Sequence, residues 1–179
     1  MAGAGLQIEV LDAAAARAAV AELGKVLADC VNGGASVSFM LPFGQAEAEA
    51  YFHKVADQVA RGETVLLAAR LHGRIVGTVQ LGLDTPPNQP HRADVKKMLV
   101  RRAARRRGVG AAVLAAAERE AARLGRSLLV LDTVRGAAGE RLYLSQGWTR
   151  AGVIPDYALL PDGGLVDTVY FWKRVGGSV

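Results

Sequence analysis

The chain has 179 residues, a formal net charge of +5 and a hydrophobic fraction of 51%, which excludes a disordered tail and predicts one folded domain over residues 1–179. Its N-terminal segment lacks the charged start and apolar core of a signal peptide, and no apolar run approaches the length of a membrane span. We therefore expect a cytoplasmic protein without a membrane partner, and the single cysteine, Cys30, fits that reducing compartment.

The positive charge is concentrated in one short stretch. Seven Lys and Arg residues lie between positions 96 and 107, so the rest of the chain has a net negative charge. Aromatic residues make up only 6% of the chain and none lies between Asp94 and Leu142, whereas nucleic-acid binders spread basic residues over a face with aromatic rings between them. We expect a compact polyanion as the ligand, and no nucleic acid.

Hydrophobic periodicity and turn residues divide the chain into strands and helices, without repeats or linkers. Helices are predicted at 13–31, 45–61, 108–124 and 137–145. Strands are predicted at 6–11, at a sheet edge, and at 64–71, 75–83, 91–100, 128–131, 148–154 and 165–173, with 155–164 as a turn-rich loop. The segment 35–44, interrupted by Pro42 and Gly44, is either a core-packed connection, which we favour, or the wall of a substrate pocket. This order predicts one α/β domain with a mixed sheet.

The stretch from Asp94 to Leu114 predicts a site for a phosphorylated ligand. It joins an apolar strand, a basic turn, two glycines and an alanine-rich helix. Amides at a helix N-terminus have no partner within the helix and lie at the positive end of its dipole, glycines allow close backbone approach, and arginines add charged contacts. Val113 stands where a dinucleotide fingerprint needs its third glycine, and no Walker A lysine follows. The alternative is a solvated basic loop.

The register Arg105-x-x-Gly108-x-Gly110 resembles the acetyl-coenzyme A motif of the GNAT superfamily of N-acetyltransferases, and the order of elements matches over nearly the whole chain. The resemblance implies the GNAT acyl-CoA N-acyltransferase fold, a central twisted mixed sheet flanked by helices, with acetyl-CoA as co-substrate. In the superfamily, amides of this turn bind the pyrophosphate and the preceding strand pairs with the pantetheine arm. The cofactor-binding residues implied here are Met98, Leu99, Val100, Arg105, Arg106, Arg107, Gly108, Val109, Gly110 and Ala111.

Other segments resemble the tabtoxin-resistance group within that superfamily. They are VNGGASVSFM, HRADVKKMLV, LLVLDT, PDY, and PDG with VYF. This resemblance implies a primary amine of a small molecule as acceptor, such as an amino-acid-like toxin or antibiotic. Two residues depart from the superfamily pattern: Arg102 stands where proline is common and Arg106 where glycine is frequent, which calls the local φ angle at Arg106 into question.

Two carboxylates are candidates for the general base, because an amine attacks a thioester only as the free base. Asp94 lies in an apolar strand and Asp132 ends the next, so neighbouring parallel strands would bring them close. Alternatively, Asp94 neutralises Lys96 or Arg92, and Asp132 caps the turn into the following helix. The resemblance assigns Asp132 as a catalytic aspartate and matches Asp94 to an acidic position usually held by glutamate, so a bridging water is one option.

The resemblance also implies roles for three aromatic residues. Tyr143, on the short helix, would protonate the departing thiolate, which suits a group with a pKa of about 10; packing in the core is its alternative role. Phe39 and Tyr157 are substrate-pocket candidates, with Asp162 and Asp167 as weaker ones. The histidines and the cysteine lack ligand spacing, so no metal is expected.

Three functions remain in competition. The favoured one is acetyl transfer to a small-molecule amine, and the second is transfer to a protein N-terminus or lysine. The third is a nucleic-acid-binding module without chemistry, against which the localised charge argues. A homodimer is one option for the assembly.

Overall fold

The fold is built on a seven-stranded mixed sheet, with strands in the order β1-β2-β3-β4-β5-β7-β6. The computed structural model describes residues 5–176. Positions 1–4 and 177–179 lie outside the described residues, and the prediction that the N-terminal segment is no signal peptide falls partly on positions 1–4. The strands are β1 (Leu6–Leu11), β2 (Thr64–Leu71), β3 (Arg74–Gly82), β4 (Arg92–Val100), β5 (Leu128–Val134), β6 (Thr149–Leu159) and β7 (Leu165–Arg174). The helices are α1 (Ala13–Ala18), α2 (Val20–Asn32), α3 (Gln45–Ala60), α4 (Val109–Arg123) and α5 (Ala138–Ser145), with a single 3₁₀ turn at Arg102–Ala104.

The two central strands separate at their carboxyl ends. β4 and β5 pair in parallel, and every other neighbouring pair is antiparallel. The parallel ladder joins Arg92–Asp94 to Leu128–Val130, after which each strand continues without pairing to the other. Unpaired backbone between adjacent strands leaves a slot and unused hydrogen-bonding groups.

The sheet has a hydrophobic core on each face, because successive strand side chains point to opposite sides. In β2, Leu67 and Ala69 pack on one face with α4, and Leu66 and Ala68 pack on the other with α1–α3. The helices α1–α3 pack over β1 to β4, while the β6 side chains are mostly exposed. The side of β5, β7 and β6 that faces away from α4 is therefore partly open.

Three predicted boundaries were wrong. The helix predicted at 13–31 is two helices, since Ala19 leaves helical geometry at φ −90° and ψ −2°. β5 runs to Val134, so Asp132 lies inside a strand and caps no helix. Residues 155–159 belong to β6, and Pro155 is tolerated there because β6 is an edge strand that need not donate every hydrogen bond. β1 occupies the opposite edge, as predicted.

Candidate active site

A cavity of about 1330 Å³ opens where β4 and β5 separate. It is bounded by the second half of β4, the start of α4, the end of β5 and one face of α5. Among the predicted site residues, those lining it are Met98, Leu99, Val100, Arg105, Arg106, Gly108, Val109, Gly110, Ala111, Asp132 and Tyr143. Arg107, Asp94, Phe39 and Tyr157 are not among its lining residues. The side chain of Leu99 is buried in the core with α1–α3, so Leu99 can offer the cavity little more than its backbone.

The first turn of α4 has the features of an anion-binding site, and we call it the cradle. Gly108 caps this helix in the left-handed region, at φ 78°, without a side-chain hydrogen bond. The amides that follow therefore keep no partner within the helix, and the positive end of its dipole faces the cavity mouth. A Cβ at Gly110 would lie 3.2 Å from Leu142 Cδ2, so the absence of a side chain at Gly110 allows the start of α4 to lie this close to α5. Arg106 is also left-handed, at φ 59°, which is the strain expected from its departure from glycine.

The arginines around the cradle have different roles. The Arg102 backbone and guanidinium both donate to Asp29, at 2.8 and 3.0 Å, and tie the turn to α2. Although burial opposes the shift, these two donors hold the pKa of Asp29 below its usual value. Arg105 Nε donates to the Val100 carbonyl at 3.1 Å, which closes the turn on the end of β4. Arg106 lines the cavity and is the arginine best placed to meet an anionic ligand.

A β-bulge interrupts β4 beside the cavity. The pairs Thr78–Leu99 and Gln80–Lys96 bracket it, so one residue of β3 faces both Lys97 and Met98. Lys97 adopts φ 51° there. A bulge re-aims side chains and leaves the extra residue out of the ladder. The strand therefore offers the cavity backbone groups that regular pairing would have consumed.

The structure treats the two aspartates differently. Asp132 lines the cavity and accepts a hydrogen bond from Thr168 Oγ1 at 2.8 Å. Asp94 pairs with Val130 in the ladder, two positions before Asp132, so both carboxylates project from the same face of the sheet. The Asp94 carboxylate, however, is in an ion pair with the Arg92 guanidinium. The neutralising role considered from the sequence is thus the one observed for Asp94, and Asp132 is the better-placed of the two candidates for the base.

Tyr143 presents a buried ring and a free hydroxyl. Its ring packs against Trp148 and Phe171, with centroids 5.7 and 5.9 Å away. Its hydroxyl makes no hydrogen bond to any described residue. Every fully buried side-chain oxygen among the described residues has a hydrogen-bond partner, so the Tyr143 hydroxyl is not fully buried. Because Tyr143 lines the cavity, its hydroxyl opens onto that space. Burial, and secondarily the charge of Asp132, raise the pKa of Tyr143 well above its usual value. The side chain is therefore protonated at neutral pH.

Two functional candidates were missed in the sequence. Tyr170 lies opposite Asp132 in the β5–β7 ladder, and its hydroxyl is 2.8 Å from the hydroxyl of Tyr157. The hydrogen bond to Tyr157, burial and the charge of Asp132 together raise the pKa of Tyr170 to about 12. Lys97, placed by the bulge, is the second. The only sequence signals were a tyrosine in an alternating strand and one lysine among seven basic residues; strand pairing was needed to locate both.

The predicted substrate residues border the open face of the sheet. Tyr157 is 46% exposed and leans on Tyr170, with ring centroids 6.0 Å apart. Phe39 packs on Phe43 and Tyr51 at 4.7 and 5.3 Å. Asp167 is held by Arg135 Nη1 at 3.2 Å. Asp162 is exposed in the turn before β7.

Two hydrogen bonds join the α2–α3 connection to the β6–β7 hairpin. Ser36 Oγ donates to the Leu159 carbonyl at 2.8 Å, and the Leu41 amide donates to the Pro161 carbonyl at 2.9 Å. Within this segment, residues 35–37 line the cavity and Phe43 is buried in the core. Core packing is thus observed at Phe43, and a role of residues 35–37 as the wall of a substrate pocket stays a prediction.

Among residues 5–176, no group of three or more His, Cys, Asp and Glu side chains could hold a metal ion. Over the same residues, none of the helices combines the length and apolar composition that a bilayer span requires.

Comparison with known proteins gives a family and several structural neighbours. The acetyltransferase (GNAT) family profile matches residues 36–148. An N-acetyltransferase from Staphylococcus aureus superposes with a TM-score of 0.78 at 16% identity, over 94% of this chain and 98% of that one. For yncA from Salmonella typhimurium, with its cofactor acetyl-CoA, the TM-score is 0.76 at 17% identity, over 95% and 94%. For the ribosomal-protein-alanine N-acetyltransferase from Brucella melitensis, it is 0.77 at 20% identity, over 94% and 99%.

The chain belongs to the acetyltransferase (GNAT) family. Its mixed seven-stranded sheet flanked by helices is the GNAT fold, and the predicted fold and enzyme class are confirmed. As a member of this family it is an acetyltransferase that uses acetyl-CoA. The residues present fit that donor, because an amide-rich helix start, a closely packed glycine and a slot between separated strands meet in one cavity.

Proposed function

We propose that this protein transfers an acetyl group directly from acetyl-CoA to a primary amine of a small molecule. The observation that carries the proposal is that Asp132, Tyr143 and the α4 cradle line one continuous cavity. A base, an acid and an anion-binding helix start in one space are the parts that acetyl transfer needs.

In this proposal the α4 amides and Arg106 hold the pyrophosphate, and Met98, Leu99 and Val100 border the pantetheine arm. Bound acetyl-CoA supplies an activated thioester carbonyl. The chain supplies position: holding donor and acceptor together in a reactive geometry replaces a bimolecular encounter, which can lower the barrier by roughly 7–11 kcal/mol.

Two side chains move the protons. Asp132 accepts the proton of the attacking amine, directly or through a water molecule, while the new C–N bond forms and the C–S bond breaks. Tyr143 donates its proton to the sulfur as the C–S bond breaks, and its raised pKa keeps the hydroxyl protonated until that step. The hydroxyl of Thr168 keeps the Asp132 carboxylate oriented. Asp94, in its ion pair with Arg92, is the weaker candidate for the base.

The acceptor class is inferred from the enclosure of the site and from the resemblance to the tabtoxin-resistance group. Hydrogen bonds from Ser36 and Leu41 hold the α2–α3 connection against the β6–β7 hairpin, which encloses the open face of the sheet where we place the acceptor. An enclosed site suits a small molecule such as an amino-acid-like toxin or antibiotic. Because one structural neighbour is named as a ribosomal-protein-alanine N-acetyltransferase, a protein N-terminus is the second candidate acceptor. A cytoplasmic location and a homodimer remain predictions.

A thiol-release assay with acetyl-CoA tests the proposal across a panel of free amines, amino acids and short peptides with free N-termini. We expect release with small amines and about a 100-fold or greater loss of kcat in Asp132→Asn, the scale of removing a general base. Asp94→Asn is the matched control, because it makes the same change on the same sheet face, at the β4 residue that pairs with Val130, two positions before Asp132 on β5. We expect a smaller loss of kcat for this variant. Equal activity of Asp132→Asn and the wild type would refute the assigned base, and release with peptides alone would favour the protein acceptor.

A further inference from the structure

Lys97 is a cation for which the proposed chemistry has no use. Its Nζ lies 3.1 Å from Ser38 Oγ and 5.8 and 6.0 Å from the ring centroids of Phe39 and Tyr51. None of the ion pairs found among residues 5–176 includes Lys97. A partly buried ammonium group with a hydroxyl and two aromatic faces around it still lacks an anion.

The local backbone is shaped to hold this arrangement. Lys97 and Ser38 have φ angles of 51° and 76°, and both are non-glycine residues in the left-handed region. They lie on separate segments, the β4 bulge and the α2–α3 connection, and their side chains meet in one hydrogen bond. Strained residues persist where surrounding structure specifies them, and they cluster at functional sites.

Lys97 lines the cavity, but on the sheet face opposite the α4 cradle. Its side chain contacts Tyr51 of α3, which packs on the sheet face opposite α4 and its phosphate cradle. Asp132 projects from the same face as Lys97, because its neighbours Leu129 and Leu131 point into the α4 core. Lys97 therefore belongs with the acceptor.

Charge supports this placement. Burial, followed by the charge of neighbouring Lys96, lowers the pKa of Lys97, and Asp132 opposes that shift. A carboxylate placed beside the ammonium group would offset the cost of burying its charge.

We propose that Lys97 and Ser38 bind a carboxylate of the acceptor, so that the substrate is a small molecule carrying a primary amine and a carboxylate. The amine reaches Asp132 and the carboxylate reaches the Lys97 ammonium and the Ser38 hydroxyl. This inference rests on the proposed function and narrows its substrate class.

The test compares matched acceptors that differ only at the carboxylate. Thiol release from acetyl-CoA is measured with L-α-amino acids, β-alanine, 4-aminobutyrate and 5-aminopentanoate, each beside its primary amide. For the best acceptor we expect the wild type to favour the acid over its amide by about 10- to 100-fold in kcat/KM, the scale of a hydrogen bond between charged groups. Lys97→Met should remove that preference by slowing the acid alone, and Lys97→Arg should restore part of it.

Two outcomes would overturn the inference: a wild-type enzyme that does not distinguish acids from amides, or a Lys97→Met variant that slows both equally. Should Lys97→Met fail to fold, the wild-type comparison and Ser38→Ala decide the question. Binding of N-acetyl amino acids and their amides to the enzyme with coenzyme A, measured by thermal shift, provides a readout without turnover. Absence of thiol release with every amine would contradict the proposed function, while equal binding of acid and amide products would contradict the carboxylate site.

Discussion

At the scale of single residues, Tyr143 shows how surroundings assign a role. Its ring is part of the core between Trp148 and Phe171, as an amphipathic helix predicts, yet its hydroxyl opens onto the cavity. Of the alternatives weighed from the sequence, core packing is observed, and the role of acid stays a prediction that the open hydroxyl permits. Burial keeps the hydroxyl protonated, which is the state that a proton donor needs.

Replacing Tyr143 by phenylalanine separates the two roles. We expect kcat to fall about 100-fold, because the donor to sulfur is lost, while the KM for acetyl-CoA and the unfolding temperature change little, because the ring contacts persist. In the wild type, the loss of activity at high pH that reports this tyrosine should lie above pH 10, since the pKa is raised. Steady-state kinetics against pH checks both statements. An unchanged kcat in Tyr143→Phe would remove the acid from the mechanism.

Arg106 makes a second residue-scale prediction. It adopts φ 59°, where a side chain costs roughly 1–2 kcal/mol. Arg106→Gly should therefore leave the free energy of unfolding unchanged or raise it by up to about 1 kcal/mol, while Arg106→Val should lower it by about 1–2 kcal/mol, because a β-branched residue tolerates this region least. Urea denaturation of the three proteins measures the difference. The prediction is wrong if valine is as stable as glycine.

At the scale of elements, the site depends on how closely β3, β4 and α4 approach one another. Gly77 of β3 faces Val100, and a Cβ there would lie 3.1 Å from both the Leu99 carbonyl and Val109 Cγ1. Neither atom is the far end of a flexible side chain. The absence of a side chain at Gly77 thus sets the distance from the sheet to the start of α4.

Gly77→Ala should lower the free energy of unfolding by about 1–3 kcal/mol, the usual cost of overpacking, and raise the KM for acetyl-CoA by displacing the cradle. Gly152→Ala is the matched control, because a Cβ on this β6 glycine would meet nothing within 4 Å. Chemical denaturation and donor titration measure the two effects. Comparable losses in both variants would show that the contact with Val109 is not the cause.

Elements also show how far the sequence was informative. Apart from the ends of β5 and β6, periodicity predicted each strand and the helices 45–61, 108–124 and 137–145 to within one residue, since apolar spacing reflects burial directly. The break at Ala19 was missed because an alanine-rich stretch carries no stop signal, and β6 was cut short because Pro155 is a breaker except at a sheet edge. The bulge at Lys97 and the pairing of Tyr170 with Asp132 depend on strands far apart in sequence, so local patterns could not predict them.

At the scale of the whole molecule, two carboxylates on α2 connect distant parts of the chain. Glu22 accepts from the Ile75 amide at 2.9 Å, and this bond, helped by Arg70, lowers its pKa despite the opposing effect of burial. Asp29 holds the turn before α4 through Arg102, and its pKa is lowered too. The ionised form of each group therefore stabilises the folded protein.

Stability should therefore decrease in acid. A carboxylate with a lowered folded-state pKa stabilises fully above its unfolded value, here 4.5 for Glu22 and 3.8 for Asp29, and this contribution is lost as pH falls through the lowered folded value. We expect Glu22→Gln and Asp29→Asn to be less stable than the wild type at pH 7 and to approach it near pH 2. Thermal unfolding against pH measures the convergence, and a constant difference at all pH values would contradict it.

The donor cradle and the segments around the open face come from separate parts of the chain, which bears on how the specificity of such an enzyme evolves. The cradle for the donor comes from one contiguous stretch, the end of β4 and the start of α4, whereas the α2–α3 connection and the β6–β7 hairpin enclose the open face. β6 is an edge strand whose side chains are mostly exposed, so substitutions there disturb little of the core. Under the proposed function, substitutions in these outer segments would change which amine is accepted, while the stretch that forms the cradle keeps its sequence.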